Sequence, residues 1–270
     1  MRAIFAVYKR ELSLYFRSPI AYAVAFAMYL FIGLLFVANV IQAININVQS
    51  AAQQQQFGAP QQVAATVLFN APNLFTFLMF LIGPLLTMRL IAEENREGTL
   101  EVLMTLPMSE SSFIIGKFMA VWTYFTVMVA VVSGVQVGLL EIIGNMDYGI
   151  FWTNMLGVWL YGGAALAICL IWSAVTEDQI VAAFLGAATI LVLYLSDAFA
   201  IYINNLNANG TNEGLDVLAN FFRQIGLNVH FQTGLATGLV RAQDIAYYIL
   251  MIIAAVFITT RLVETRRWRG

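Results

Sequence analysis

The chain has 270 residues, 61% of them hydrophobic and only 10% charged, with a mean hydropathy of +0.80 and a formal net charge of −2. Soluble domains carry about 25% charged residues, so this composition excludes an ordinary soluble enzyme or binding module and puts the chain in a bilayer. A single His and a single Cys exclude an ordinary His/Cys metal site and any disulfide within the chain.

Residues 2–17 place Ile4, Phe5, Tyr8, Leu12, Tyr15 and Phe16 on one helical face and Arg2, Lys9, Arg10, Ser13 and Arg17 on the other. That spacing predicts an amphipathic helix lying in the membrane surface over residues 1–18. It serves either as an anchor with snorkelling bases or as a lever on the first span. A helical crossing needs roughly 20 mostly apolar residues, and six stretches qualify, at about 19–41, 67–88, 118–140, 152–175, 180–203 and 244–261. The expected fold is therefore an all-α integral membrane protein. The first apolar run is too long for a secretory signal core and has no convincing cleavage site in 39–56, so it is read as a retained span. Residues 42–66 are rich in Gln, Asn and Ala, carry no charge, and read as low-complexity surface with little fixed order.

Residues 18–88 contain no Asp, Glu, Lys, Arg or His, and six acids and bases then fall between Arg89 and Glu101. If this island is helical, Glu94, Glu97 and Glu101 recur at i, i+3 and i+7 as an acidic stripe. Leu100, Leu103 and Leu106 form an apolar ridge on another side. Gly98 interrupts the run and Pro107 ends it. Such a segment is either a short helix that inserts into a groove on a soluble partner or a solvated loop that marks a membrane boundary.

Eleven of the 13 Lys and Arg residues fall in three segments, residues 2–17, the 89–117 loop and residues 261–269. The positive-inside rule makes those three segments, and both termini, cytoplasmic. Only Arg223 and Arg241 lie on the other side. The link at 176–179 is too short to dock a partner, although Glu177 and Asp178 share the compartment of the 89–117 loop. Pro84, beside Gly83, removes a backbone donor from the second span, and is either a kink that lets the span tilt or a tolerated membrane proline. Asp197, near the outer end of the fifth span, is either a gating or substrate residue or an acid solvated at the interface. Glu141 and Asp147 flank a short external turn and mark the membrane edge. The external segment 204–243 mixes an Asn/Gly stretch with Val217, Leu218, Phe221, Phe222, Ile225 and Leu227, which predicts short helices that dip into the outer leaflet or cap the bundle. Its Asn209-Gly210-Thr211 sequon reads as an accident of an Asn-rich loop.

Arg89, Ala92-Glu93-Glu94, Gly98-Thr99-Leu100-Glu101-Val102-Leu103, Thr105, Pro107 and Ser109, followed by Gly116-Lys117, closely resemble the cytoplasmic signature of ABC-2-type transporter permeases. Lys9-Arg10-Glu11-Leu12 and Phe16-Arg17-Ser18-Pro19 resemble the start of the same family, especially its gliding-motility-type branch. The resemblance spans residues 1–270 as one transmembrane domain, and departs at Asn95, where the family often has Lys or Arg. It implies the permease subunit of an ATP-driven exporter in a bacterial inner membrane. By the same resemblance, Glu93, Glu94, Glu97, Gly98, Thr99 and Glu101 would dock and hinge on a separate ABC ATPase, with Leu100 and Leu103 as apolar contacts and Pro107 closing the segment. The chain has no G-x-x-x-x-G-K-[ST] phosphate loop, since Gly116-Lys117 is followed by Phe118. ATP and Mg would therefore be bound by the partner ATPase and none by this chain. A second permease subunit, the same chain or a homologue, and membrane lipids are the other partners expected. Two other classes compete with this reading: a membrane scaffold recruiting a cytosolic ATPase for motility or envelope assembly without transport, and a membrane enzyme, which would need His230 gathered with Asp197 or Asp216.

Overall fold

The computed structural model describes residues 2–53, 63–99, 109–143, 146–207 and 212–267. Its helices are α1 (Arg2–Tyr15), α2 (Pro19–Gln53), α3 (Val63–Thr87), α4 (Ala92–Arg96), α5 (Glu110–Ile143), α6 (Tyr148–Val175), α7 (Gln179–Leu206), α8 (Glu213–Ile225), α9 (Leu227–Gln232) and α10 (Ala242–Arg267), with a 3₁₀ turn at Leu235–Thr237. No strand occurs among the described residues. Among the described residues, six helices (α2, α3, α5, α6, α7 and α10) are long and apolar enough to cross a membrane, and each contains or overlaps one of the six expected stretches. The protein is an all-α, multi-pass membrane protein.

Most helices overrun the apolar windows because their ends are capped in water rather than where hydrophobicity stops. Asp147 caps α6 by accepting from the Gly149 amide at 2.8 Å, and Asp178 caps α7 by accepting from Ile180 at 2.7 Å. Each satisfies donors that the first helical turn cannot pair. The expectation of little order over 42–66 is corrected for 42–53 and for 63–66, which are helical. No Gly or Pro interrupts residues 34–53, so α2 continues to Gln53, and Ala43 is buried with Phe36, Val67, Leu140 and Phe151. The rest of that segment up to residue 62 lies outside the described residues.

The core is built around α6. Within its apolar window 72% of residues are buried, against 22% for α7, so the other spans pack around it and α7 faces outward. Gly162 makes this possible on one side, since a Cβ there would stand 2.1 Å from the Phe125 ring of α5. At the far end from α4, α9 and the 3₁₀ turn plug the bundle with Leu227, Phe231 and Leu235, all fully buried. The Tyr247 and Tyr248 hydroxyls of α10 donate to the carbonyls of Ile225 and Leu227 at 2.6 and 2.7 Å. Preceding them, α8 leaves Val217 and Phe221 exposed. The short capping helices expected in 204–243 are therefore present, while the sequon at 209–211 lies outside the described residues.

Candidate functional site

The polar island begins where α3 ends, and its first turn is held by a hydroxyl from another span. Ser173 of α6 is fully buried. Its Oγ accepts from the amides of Ile91 and Ala92 at 3.1 and 3.2 Å and donates to the Met88 carbonyl at 3.1 Å. Residue Ile91, at the N-cap position of α4, has no capping side chain of its own. Ser173 thus performs in trans what an N-cap residue does locally.

The second brace is electrostatic. Lys117, at the start of the third turn of α5, is 2% exposed and lies 3.1 Å from Glu11 of α1 and 2.9 Å from Glu94 of α4. Its ammonium also sits 4.9 Å from the Phe113 ring centroid. One buried cation therefore ties the surface helix, the island helix and a span together. Close approach of α1 depends on Gly116, where a Cβ would stand 2.9 Å from Val7. Tyr15 completes the clamp by donating to the Leu86 carbonyl at 2.6 Å. Burial, reinforced by the neighbouring Glu11 carboxylate, pushes the Tyr15 hydroxyl well above its usual range, so it keeps its proton and stays a donor.

This arrangement corrects two expectations. Within the described part of the expected acidic stripe, Glu94 and Glu97 do not share a face, because α4 stops at Arg96 and Gly98 takes φ +69°, a left-handed conformation that side-chain-bearing residues rarely adopt. Glu94 turns inward to Lys117 at 13% side-chain exposure, while Glu97 points to solvent. The face of α1 is also rotated: Val7 and Glu11 are buried, whereas Phe5 is 65% exposed. The acid of that helix, drawn to Lys117, takes a place that hydrophobicity alone would give to a Phe.

Among the predicted docking residues, Glu93 forms a two-pronged pair with Arg89 at 3.0 and 3.2 Å. Glu97, Gly98 and Thr99 form an exposed turn, with the Thr99 hydroxyl donating to the Glu94 carbonyl at 3.3 Å. Leu100, Glu101, Leu103 and Pro107 lie outside the described residues. Pro84 is buried where α3 meets α6 and α7, and the helix continues past it, with the Met88 amide donating to the Pro84 carbonyl at 2.8 Å. Asp197 is half-buried near the opposite end of α7 and has no partner among the described residues. His230 is brought to neither Asp197 nor Asp216. It pairs with the buried Asp244 at 3.0 Å and stacks on Tyr247, and Asp216 accepts instead from Asn207 at 2.9 Å.

Sequence reasoning missed Glu11, Lys117 and Ser173 as site residues. Two of them left a signal: Lys117 is the only charge in residues 111–140, and Glu11 the only acid in residues 1–17. Ser173 left none, since one hydroxyl in an apolar span reads as packing.

These features define a multi-pass helical membrane protein with a rigidly rooted polar turn at the end of the bundle where the basic segments gather. The chain matches the ABC-2 family transporter protein over residues 5–264 and belongs to that family. ABC-2 membrane proteins function with ABC ATPase partners. No curated protein matches the chain.

Proposed function

We propose that this chain is the permease subunit of an ATP-driven exporter, and that the exposed turn Glu97-Gly98-Thr99, with the residues following it, docks on a separate ABC ATPase. The observation that carries the reading is the contrast within α4. Its root is fixed to the bundle by Ser173 and Lys117, while its far end presents Arg96 and Glu97 to solvent. A partner pushing on that end moves α1, α5 and α6 together instead of bending a loose loop. The clustering of bases at this end supports cytoplasmic termini and a bacterial inner-membrane location. The apolar outer surfaces of α2 and α7 suit pairing with a second permease subunit. Binding and hydrolysis of ATP, with its Mg, belong to the partner, and this chain converts docking geometry into a shift between inward- and outward-facing populations. The family's gliding-motility-type branch remains our reading of 9–12 and 16–19. Pro84 and Asp197 are proposed as gating or pathway residues.

The test is co-purification with the cognate ATPase and measurement of ATP turnover, comparing wild type with Glu97→Arg/Glu101→Arg. Glu94 is left intact because it holds Lys117. Loss of both binding and turnover in a monodisperse variant is the expected result. Equal binding by the two proteins removes the docking assignment and leaves the scaffold reading, without ATP-coupled transport, in its place.

A further inference from the structure

Beside the docking turn lies a cleft of about 800 Å³, walled by α1, the start of α2, the end of α3 and α4. Its acids are already committed. Glu93 is held by Arg89, and Glu11 and Glu94 share Lys117. Only Glu97 remains, on the solvent side of the turn. Among the described residues, no carboxylate comes within ion-pair distance of Arg10 or Arg17, and both are exposed. The lining below them turns apolar, with the exposed Ile20 beside Ala21 in α2 and the half-buried Leu85 of α3. Those residues belong to the first turn of α2, which begins at Pro19, and the last turn of α3, which ends at Thr87, so within the cleft charge gives way to apolar surface where two of the membrane-spanning helices meet the surface helix.

We propose that this cleft binds an anionic glycerophospholipid, with its headgroup phosphate on Arg10 and Arg17 and an acyl chain along Ile20, Ala21 and Leu85. Guanidinium groups match phosphate oxygens in a two-pronged geometry, and the volume lies within the range of ordinary ligand pockets, roughly 300–1,000 Å³. An anionic headgroup fits better than a choline headgroup, because choline brings its own cation to two exposed arginines that no described carboxylate pairs directly, Arg10 feeling Glu94 only at longer range. A lipid seated here touches both the surface helix and α4. The composition of the leaflet then sets how stiffly the docking turn is held.

The experiment is native mass spectrometry of the full chain released from bilayers containing equal phosphatidylglycerol and phosphatidylcholine. Wild type, Arg10→Gln/Arg17→Gln and a charge-matched control, Lys9→Gln/Arg241→Gln, are compared, each checked for monodispersity. Wild type is expected to retain phosphatidylglycerol selectively, the Arg10/Arg17 variant to lose about tenfold in that retention, and the control to keep it. No preference for phosphatidylglycerol in wild type overturns the proposal, and that arm does not depend on any variant folding. Equal losses in both variants also overturn it, since they reduce the effect to general attraction of a basic surface. So does displacement of the lipid by millimolar inorganic phosphate, which needs no acyl chain. The readout involves no ATPase, so its result is separable from that of the docking experiment.

Discussion

At the residue scale, Lys117 is the group on which most depends. Removing one partner from a buried ion cluster leaves uncompensated charge, at a cost of about 3–5 kcal/mol. Lys117→Met would leave Glu11 and Glu94 facing one another with no cation between them. The expected outcome is a large fall in melting temperature in detergent, larger than that of Glu11→Gln. Similar melting of Lys117→Met and wild type would mean that the cluster contributes nothing to the fold. Gly98 acts through its backbone. A Cβ there has open space around it, yet the left-handed conformation costs a side-chain-bearing residue roughly 1–2 kcal/mol. Gly98→Ala should therefore leave the bundle's melting unchanged while weakening ATPase co-purification, because the strain is confined to the exposed turn. Part of this was legible beforehand: the polar island and the break at Gly98 followed from charge placement and from the glycine itself. The inward turn of Glu94 did not, because its cause is a lysine 23 residues away whose burial no local pattern records.

At the element scale, α4 is only five residues long, too short to hold its own conformation in water. Its helicity is supplied from outside by Ser173. Ser173→Ala should cost about 0.5–2 kcal/mol, as the loss of other helix caps does. Hydrogen exchange should then speed up at Ile91 and Ala92, whose amides lose their acceptor, while α6 itself stays protected. Unchanged exchange at those amides would show that the cap is dispensable. The spans were legible as elements because apolar length is a strong signal, whereas their ends were not. The extension of α2 to Gln53 and the start of α5 at Glu110 depend on capping and on the absence of helix breakers, which hydropathy windows average away. The rotated face of α1 belongs here too, since an amphipathic pattern ranks side chains by polarity and cannot anticipate a buried partner for an acid.

At the scale of the whole molecule, the gradient from buried α6 to outward α7 divides the spans into a post and its surround. Substitution at the post should be the more damaging. Gly162→Val, forced against Phe125, is expected to abolish monodisperse purification, whereas Leu195→Val on the outward side of α7 should be silent in size-exclusion profile and melting. Normal purification of Gly162→Val would require the α5–α6 contact to be far softer than its geometry implies. Topology from charge bias and topology from the fold agree in one respect. Six crossings return the chain to the end where it began, and that end gathers α1, α4 and the last turns of α10.

The lone thiol gives the wild-type chain a use in the laboratory. Cys169 is buried where α3, α6 and α7 meet, within reach of Gly83 and Gly186 and one contact from Pro84. A water-soluble maleimide should leave the resting protein unlabelled, so cysteines introduced at Thr99 or Asn212 would report sidedness without first building a cysteine-free background. The same silence makes Cys169 a native reporter. If the transport cycle parts α3 from α7 at Pro84, labelling of this sulfur should rise during turnover, and the rate of that rise would time the opening with no probe added to the chain.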